Sequence, residues 1–205
     1  QQRTTQILSI ESSLSRHVGW KLSSNRIKCL RQSDLDELRL EEMPMLGIKA
    51  NMAVMQSLQA QIDALEQVLA DYCRDEPGYW LLRTVTGIGE VLATVIVLET
   101  GDIGRFAQAG NYASYCRCVG SVHLSNGKKK GEGNAKNGNR YLAWAFVEAA
   151  NFAVRSCEAA RRFYQRKKAT RNNTVAIKAV AHKLARACYH MLKNGEPFSV
   201  ERCFA

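Results

Sequence analysis

The sequence predicts an all-α protein. Apolar residues recur at three- and four-residue steps through most of the chain. Gly- and Pro-containing stops fall between those stretches, and only Val95-Ile96-Val97 carries a weak preference for strand.

The elements follow in order. Residues 1 to about 30 read as a helix carrying Ile7, Leu8, Ile10 and Leu14. Ser33-Asp34-x-Asp36-Glu37 looks like a helix start, with acids in its first turn. Pro44 marks a break or a new first turn. A long helix follows: Ile48, Met52 and Met55 lead into Leu58, Ile62, Leu65 and Leu69, an alternating seam over about three heptads. Such a seam needs a neighbour, either the short upstream helices packed antiparallel or a coiled coil with a second chain. Asp75-Glu76-Pro77-Gly78 is a stop, and it divides a helical linker and coiled-coil segment (1–78) from a C-terminal domain (79–205). In that domain, a compact segment spans Trp80 to Leu98 and a short helix runs from about Gln108 to Cys116. Residues 118–139 read as a loop, and two long helices are expected at roughly 140–166 and 172–193.

Charge is unevenly spread. The net charge is +10, yet Cys116 to Lys193 holds 17 Lys and Arg against three acids, so the rest of the chain is net acidic. A solvated surface is the ordinary reading of such charge. So local an excess favours a polyanion, because each neutralised phosphate releases counterions. No apolar run approaches membrane-spanning length, and no lipidation signal accompanies the charge. The seven cysteines lack a disulfide-type framework, which fits a reducing compartment, and no leader peptide is recognisable at Gln1; a cytosolic location is expected. Cys116-x-Cys118 near His123 lacks zinc-finger spacing; a packed helix or strand edge is the plainer reading.

Three motifs carry chemistry. Leu81-x-x-x-Val85-x-Gly87-Ile88-Gly89-x-x-x-Ala93-x-x-Ile96 has the pattern of a helix-hairpin-helix. The first helix is expected to end at Thr86 and the second to start near Glu90. Gly87 and Gly89 would allow positive φ and close approach of a phosphate backbone, with Ile88 plugging the core. A plain helix C-cap with Gly is the competing reading. The loop from Gly120 to Arg140 combines Ser121 and Ser125 with Lys128, Lys129, Lys130 and Lys136. It is either a solvated linker or a site where a serine hydroxyl attacks phosphorus surrounded by cations. Lys128, Lys129, Lys130 and Arg140 would supply that charge. Finally, Arg155, Arg161, Arg162, Arg166, Lys167, Lys168 and Arg171 interleave with Phe163 and Tyr164, and Lys178, Lys183 and Arg186 continue beyond. With few acids to balance them, they read as a phosphate track.

Taken together, several blocks resemble a known family. Thr86-Gly87-Ile88-Gly89, Glu99-Thr100-Gly101-Asp102-Ile103-x-Arg105-Phe106, Asn111-Tyr112-Ala113-Ser114-Tyr115, Leu124 to Asn134 and Asn137-Gly138-Asn139-Arg140-Tyr141-Leu142 are similar to the IS one-ten family of insertion-sequence transposases, nearest its eleven-eleven subgroup. The resemblance implies a DNA recombinase guided by a structured RNA, an enzyme of DNA transposition. Ser125 matches the family's nucleophilic serine, with Ser121 as the fallback. The resemblance also implies an acidic, Mg-binding RuvC-like domain N-terminal to this chain. Nothing in the chain replaces it, so the chain alone is expected not to complete strand cleavage and to hold no cofactor itself. Asn126 departs from the glycine many relatives would carry. The expected partners are DNA, guide RNA and, through the coiled coil, another copy. The alternative is a non-catalytic helix-hairpin-helix module that binds nucleic acid.

Overall fold

The computed structural model describes residues 1–38, 40–120, 122–132 and 137–205, with backbone alone at 122–124, 129, 131 and 132. The chain divides into two compact units, Gln1–Leu69 and Ala70–Ala205. The fold is all-α: among the described residues, the two short strands of one hairpin are the only sheet.

The first unit holds α1 (Gln2–Val18), α2 (Ser24–Lys28), α3 (Gln32–Asp36) and most of α4 (Glu42–Arg74). The single helix expected over residues 1–30 is broken. Gly19 adopts φ 70° and turns its N–H back to the Leu14 carbonyl, which closes α1 with a left-handed cap. Ser23 then caps α2 by accepting from the Arg26 N–H. Ile7, Ile10 and Leu14 lie on one face of α1 and pack with Ile27, Leu35, Ile48, Met52 and Met55. Polar bonds tie α1 to α4: Asn51 donates to Ser9 Oγ at 3.0 Å, and Arg3 donates to Gln59. Pro44 sits in the first turn of α4, where a missing N–H costs nothing.

The seam of α4 changes character along its length. Ile48, Met52 and Met55 are buried by the upstream helices, whereas Leu58 and Ile62 are half-buried. Leu65 is 65 % exposed and Leu69 is 40 % exposed. The short helices therefore cover the first turns of the seam and leave the later ones bare.

The second unit begins at Ala70 with the end of α4, which stops before Pro77, the first residue of α5 (Pro77–Arg83). Next come α6 (Glu90–Thr100), a 3-10 turn at Ile103–Arg105 and α7 (Ala109–Tyr115). The strands β1 (Val122–Ser125) and β2 (Lys128–Glu132) precede α8 (Arg140–Ser156), α9 (Glu158–Thr170), α10 (Asn173–Asn194) and α11 (Val200–Phe204). Helix α10 packs against α5, α7, α8, α9 and α11. Its buried alanines, with Ala145, Ala149, Ala150 and Ala153 of α8, let the helix backbones approach closely around Tyr112, Phe146, Val180 and Leu184. The buried hydroxyls are satisfied: Thr100 bonds the Tyr112 hydroxyl at 2.8 Å, and Tyr189 donates to the Phe106 carbonyl at 3.0 Å.

Two boundaries differ from the sequence expectation. The helix expected over 140–166 breaks at Cys157, whose backbone is extended (φ −118°, ψ 122°). Arg161 stabilises the break, donating from Nε to the Val154 carbonyl at 3.1 Å and from Nη2 to that of Arg155. The residues expected as a loop at 118–139 contain the β1–β2 hairpin. Its turn is Asn126-Gly127, with φ 51° and 69°, the positive pair that a two-residue hairpin turn requires.

Candidate nucleic-acid interface

The turn between α5 and α6 contains the two glycines of the first motif. Helix α5 ends at Arg83 rather than Thr86, and the N–H groups of Thr84, Val85 and Ile88 bond the carbonyls three residues back. Gly87 has φ 95°, and a Cβ there would stand 2.4 Å from the Ala149 carbonyl oxygen and 2.8 Å from the Ala153 nitrogen. Its close approach is thus to the backbone of α8. Ile88 is buried in the core, as a plug would be. Gly89 caps α6 with nothing near its missing side chain. A shallow groove of about 480 Å³ runs beside it, lined by residues 87–92 and by Phe152 and Ser156 of α8. Glu90 stands at the first position of α6, 3.8 Å from Arg83, so the anion-attracting helix end already faces one carboxylate.

Ser125 is the last residue of β1, half-exposed, directly before the turn. Its cross-strand partner is Lys128. Directly opposed residues of an antiparallel pair project to the same face, so the serine hydroxyl and the Lys128 ammonium share one side of the hairpin. Leu124 pairs with Lys129 and His123 with Gly131, which leaves Lys130 as the extra residue of a bulge. Ser121 and Lys136 lie outside the described residues, as does the side chain of Lys129.

The base of the hairpin is held by groups that the sequence reading did not single out. Arg117 donates from Nε and Nη2 to the Gly138 carbonyl at 3.1 and 2.7 Å, and the Asn139 N–H donates to the Tyr115 carbonyl at 2.7 Å. Gly138 has φ 92° and a Cβ there would lie 2.4 Å from that same Tyr115 oxygen, so only glycine allows the two arms to close. Asn139 accepts from the N–H groups of Tyr141 and Leu142 as the cap of α8, and donates to Glu99 at 2.6 Å. The Arg105 guanidinium lies over the rings of Phe106 and Tyr115 at 4.6 and 4.7 Å. Hydrogen bonding to Asn139, then to Arg105, holds the Tyr115 phenol below its ordinary value of 10. Glu99, Arg105, Tyr115 and Asn139 all fall inside blocks quoted for the family resemblance; their convergence from α6, the 3-10 turn, α7 and α8 appears only in three dimensions.

Beyond the hairpin, Arg140 begins α8, fully exposed, and donates to the Tyr141 hydroxyl at 2.6 Å with its guanidinium over that ring. Tyr141, Trp144 and Phe152 are each about half exposed along α8, and Arg155 lies 5.9 Å from the Phe152 ring. On α9, Arg162 pairs with Glu158, whereas Lys167 and Lys168 lie over Phe163 and Tyr164 at 5.7 Å each. Arg161 is occupied by the end of α8, as described above. Cys116 and Cys118 are buried, and burial pushes the Cys118 thiol up to about 12, the form of a packed apolar side chain. Among the described residues no group of three or more His, Cys, Asp or Glu could hold a metal ion, and no helix is long and apolar enough to cross a membrane.

Comparison with known proteins gives this site a context. Residues 79–165, which run from α5 into α9 and include the hairpin, match the model of the transposase IS116/IS110/IS902 family. The chain is 28% identical over 144 residues to a probable family 20 transposase of Pseudomonas aeruginosa, an alignment covering 68% of this chain and 43% of that protein. It is 28% identical over 140 residues to the insertion element IS110 uncharacterized 43.6 kDa protein of Streptomyces coelicolor (68% and 33%). It is 23% identical over 143 residues to the transposase for insertion sequence element IS1328 of Yersinia enterocolitica (68% and 43%). The chain spans less than half the length of these relatives.

Proposed function

We propose that this chain is the serine-bearing part of an RNA-guided transposase that recombines DNA in the bacterial cytosol. The observation that carries the reading is the position of Ser125 beside Lys128, at the end of a strand next to a tight turn in the segment that matches a transposase family. The Ser125 oxygen attacks a DNA phosphorus, forming a serine–phosphate ester as the bond from phosphorus to the leaving sugar oxygen breaks. The serine proton passes to a base and the sugar oxygen takes one up. Lys128, Lys129, Lys130 and Lys136, with Arg140, offset the charge that builds on the phosphoryl oxygens. Arg117, Gly138 and Asn139 are positioning residues that hold the hairpin's base.

The α5–α6 turn acts as a helix-hairpin-helix, with Gly89 and the adjoining groove taking the sugar-phosphate backbone. Lys167, Lys168 and the arginines of α9 extend the track, and the open rings of α8 suit unpaired bases of DNA or of a structured guide RNA. Mg²⁺ belongs to an acidic RuvC-like site outside these residues. The described residues offer no carboxylate cluster that fits it, and no step here is assigned to a metal. A second copy is recruited through the bare turns of α4.

The test is the covalent adduct. Full-length transposase, guide RNA and donor DNA are incubated with and without Ser125→Ala, and protein–DNA adducts are resolved on denaturing gels. The adduct is expected to vanish in the variant while DNA binding persists. Equal adduct yield removes Ser125 from the mechanism; no adduct from either protein, with DNA still bound, favours a non-catalytic binding module.

A further inference from the structure

A second basic site lies away from the hairpin. A cavity of about 590 Å³ opens between the latter half of α10 and residues 194–203. His182, Lys183, Arg186 and His190 follow one another at helical spacing along α10 and line one wall. Met191, Pro197 and Phe198 form an apolar wall. The only carboxylate in the lining, Glu196, is already bound to Arg202 at 2.8 Å. Among the described residues neither Arg186 nor His190 has an ion-pair partner. Lys183 donates to the Ala205 carbonyl at 3.0 Å and lies over the Phe163 ring, so its ammonium is fixed rather than free to swing. His182 stands half-buried in the same wall. A surplus of cations and an apolar wall thus meet in one concave space, within the size range of small-ligand sites.

We propose that this cavity binds a nucleotide. Arg186 takes the phosphate as a fork of two donors, Lys183 and His190 add charge beside it, and the base lies against Phe198 and Met191. A phosphate alone would leave the apolar wall unused, and a purely apolar ligand would leave the cations unpaired. A free nucleotide and an unstacked nucleotide of a strand present the same chemistry. The inference is independent of the serine reading: it needs neither Ser125 nor the hairpin.

The test titrates the full chain with AMP and, separately, with a single-stranded tetranucleotide at low salt, following heat or fluorescence. Saturable binding is expected in at least one arm. Binding of both marks a site open to free nucleotides; binding of the tetranucleotide alone marks a site for a strand. Arg186→Gln is expected to weaken binding about tenfold or more, the scale of a charge-assisted phosphate contact. Phe198→Ala is expected to weaken it while leaving inorganic phosphate binding unchanged. Arg186 is exposed, so its variant should retain the wild-type helical circular dichroism, and Arg26→Ala on α2 serves as a remote control. No saturation in either arm, equal affinity of Arg186→Gln, or inorganic phosphate binding as tightly as AMP overturns the proposal.

Discussion

Gly87 and Gly89 are two residues apart in one turn, yet their surroundings separate their roles. Gly87 combines positive φ with contact against the α8 backbone, whereas Gly89 has φ −87° and open space around it. Gly87→Ala therefore adds both backbone strain and a clash with atoms that cannot move aside. A loss of about 2–5 kcal/mol is expected in urea unfolding. Gly89→Ala, at the N-cap of α6, is expected to cost no more than about 1 kcal/mol. If Gly89 faces a phosphate, the same variant should still weaken DNA binding. Equal destabilisation by both variants would mean that the packing of α8 against the turn is not what requires Gly87. Tyr115 and Asn139 make a related point: single residues from different elements are linked by hydrogen bonds at the hairpin's base, and the value of each depends on the other.

At the scale of the element, α4 and the hairpin show how sequence pattern meets its partner. The α4 seam is uniform in sequence but only its first turns are covered, and Leu65, Val68 and Leu69 stay open. Exposed apolar residues in a heptad register form a surface that another helix can bury. If a second copy covers them, Leu65→Glu with Leu69→Glu will lower the mass seen in sedimentation while the helical circular dichroism remains. An unchanged sedimentation profile would place oligomerisation, if any, elsewhere. In the β1–β2 hairpin, Asn126 is well chosen: asparagine is among the few residues with a side chain that adopt positive φ readily, so its difference from glycine does not disturb the turn.

For the whole molecule, the charge split governs long-range behaviour. The residues from Cys116 to Lys193 have 17 basic side chains against three acids, and they span the hairpin, α8, α9 and most of α10. Not all of this charge is available. Arg161 is spent on the end of α8 and Arg162 is paired with Glu158, whereas Lys167 and Lys168 are held over aromatic rings with their donors open. DNA affinity is expected to fall steeply and linearly on a log–log salt plot. Lys167→Ala with Lys168→Ala should reduce the magnitude of that slope by roughly 2, about 0.9 per lost phosphate contact. A flat salt response, or an unchanged slope in the double variant, would remove α9 from the interface.

The sequence by itself determined the helical class, the stop before Pro77, the basic C-terminal half and the resemblance carried by its motif blocks. These depend on local properties: three- and four-residue periodicity, backbone constraints of Pro and Gly, and the count of charges. The break at Cys157 was not legible, because it is held by Arg161 reaching back to the carbonyls of Val154 and Arg155. The hairpin had a readable signal in Asn126-Gly127, hidden among the surrounding Gly, Asn and Lys, which read as a loop. Only the tertiary structure decided that Gly87 docks on α8, that Glu99, Arg105, Tyr115 and Asn139 meet at the hairpin's base, and that the cations of α10 face an apolar wall across a cavity. Each of these depends on contacts between residues from about ten to more than sixty positions apart, and such contacts leave no period or spacing in the chain.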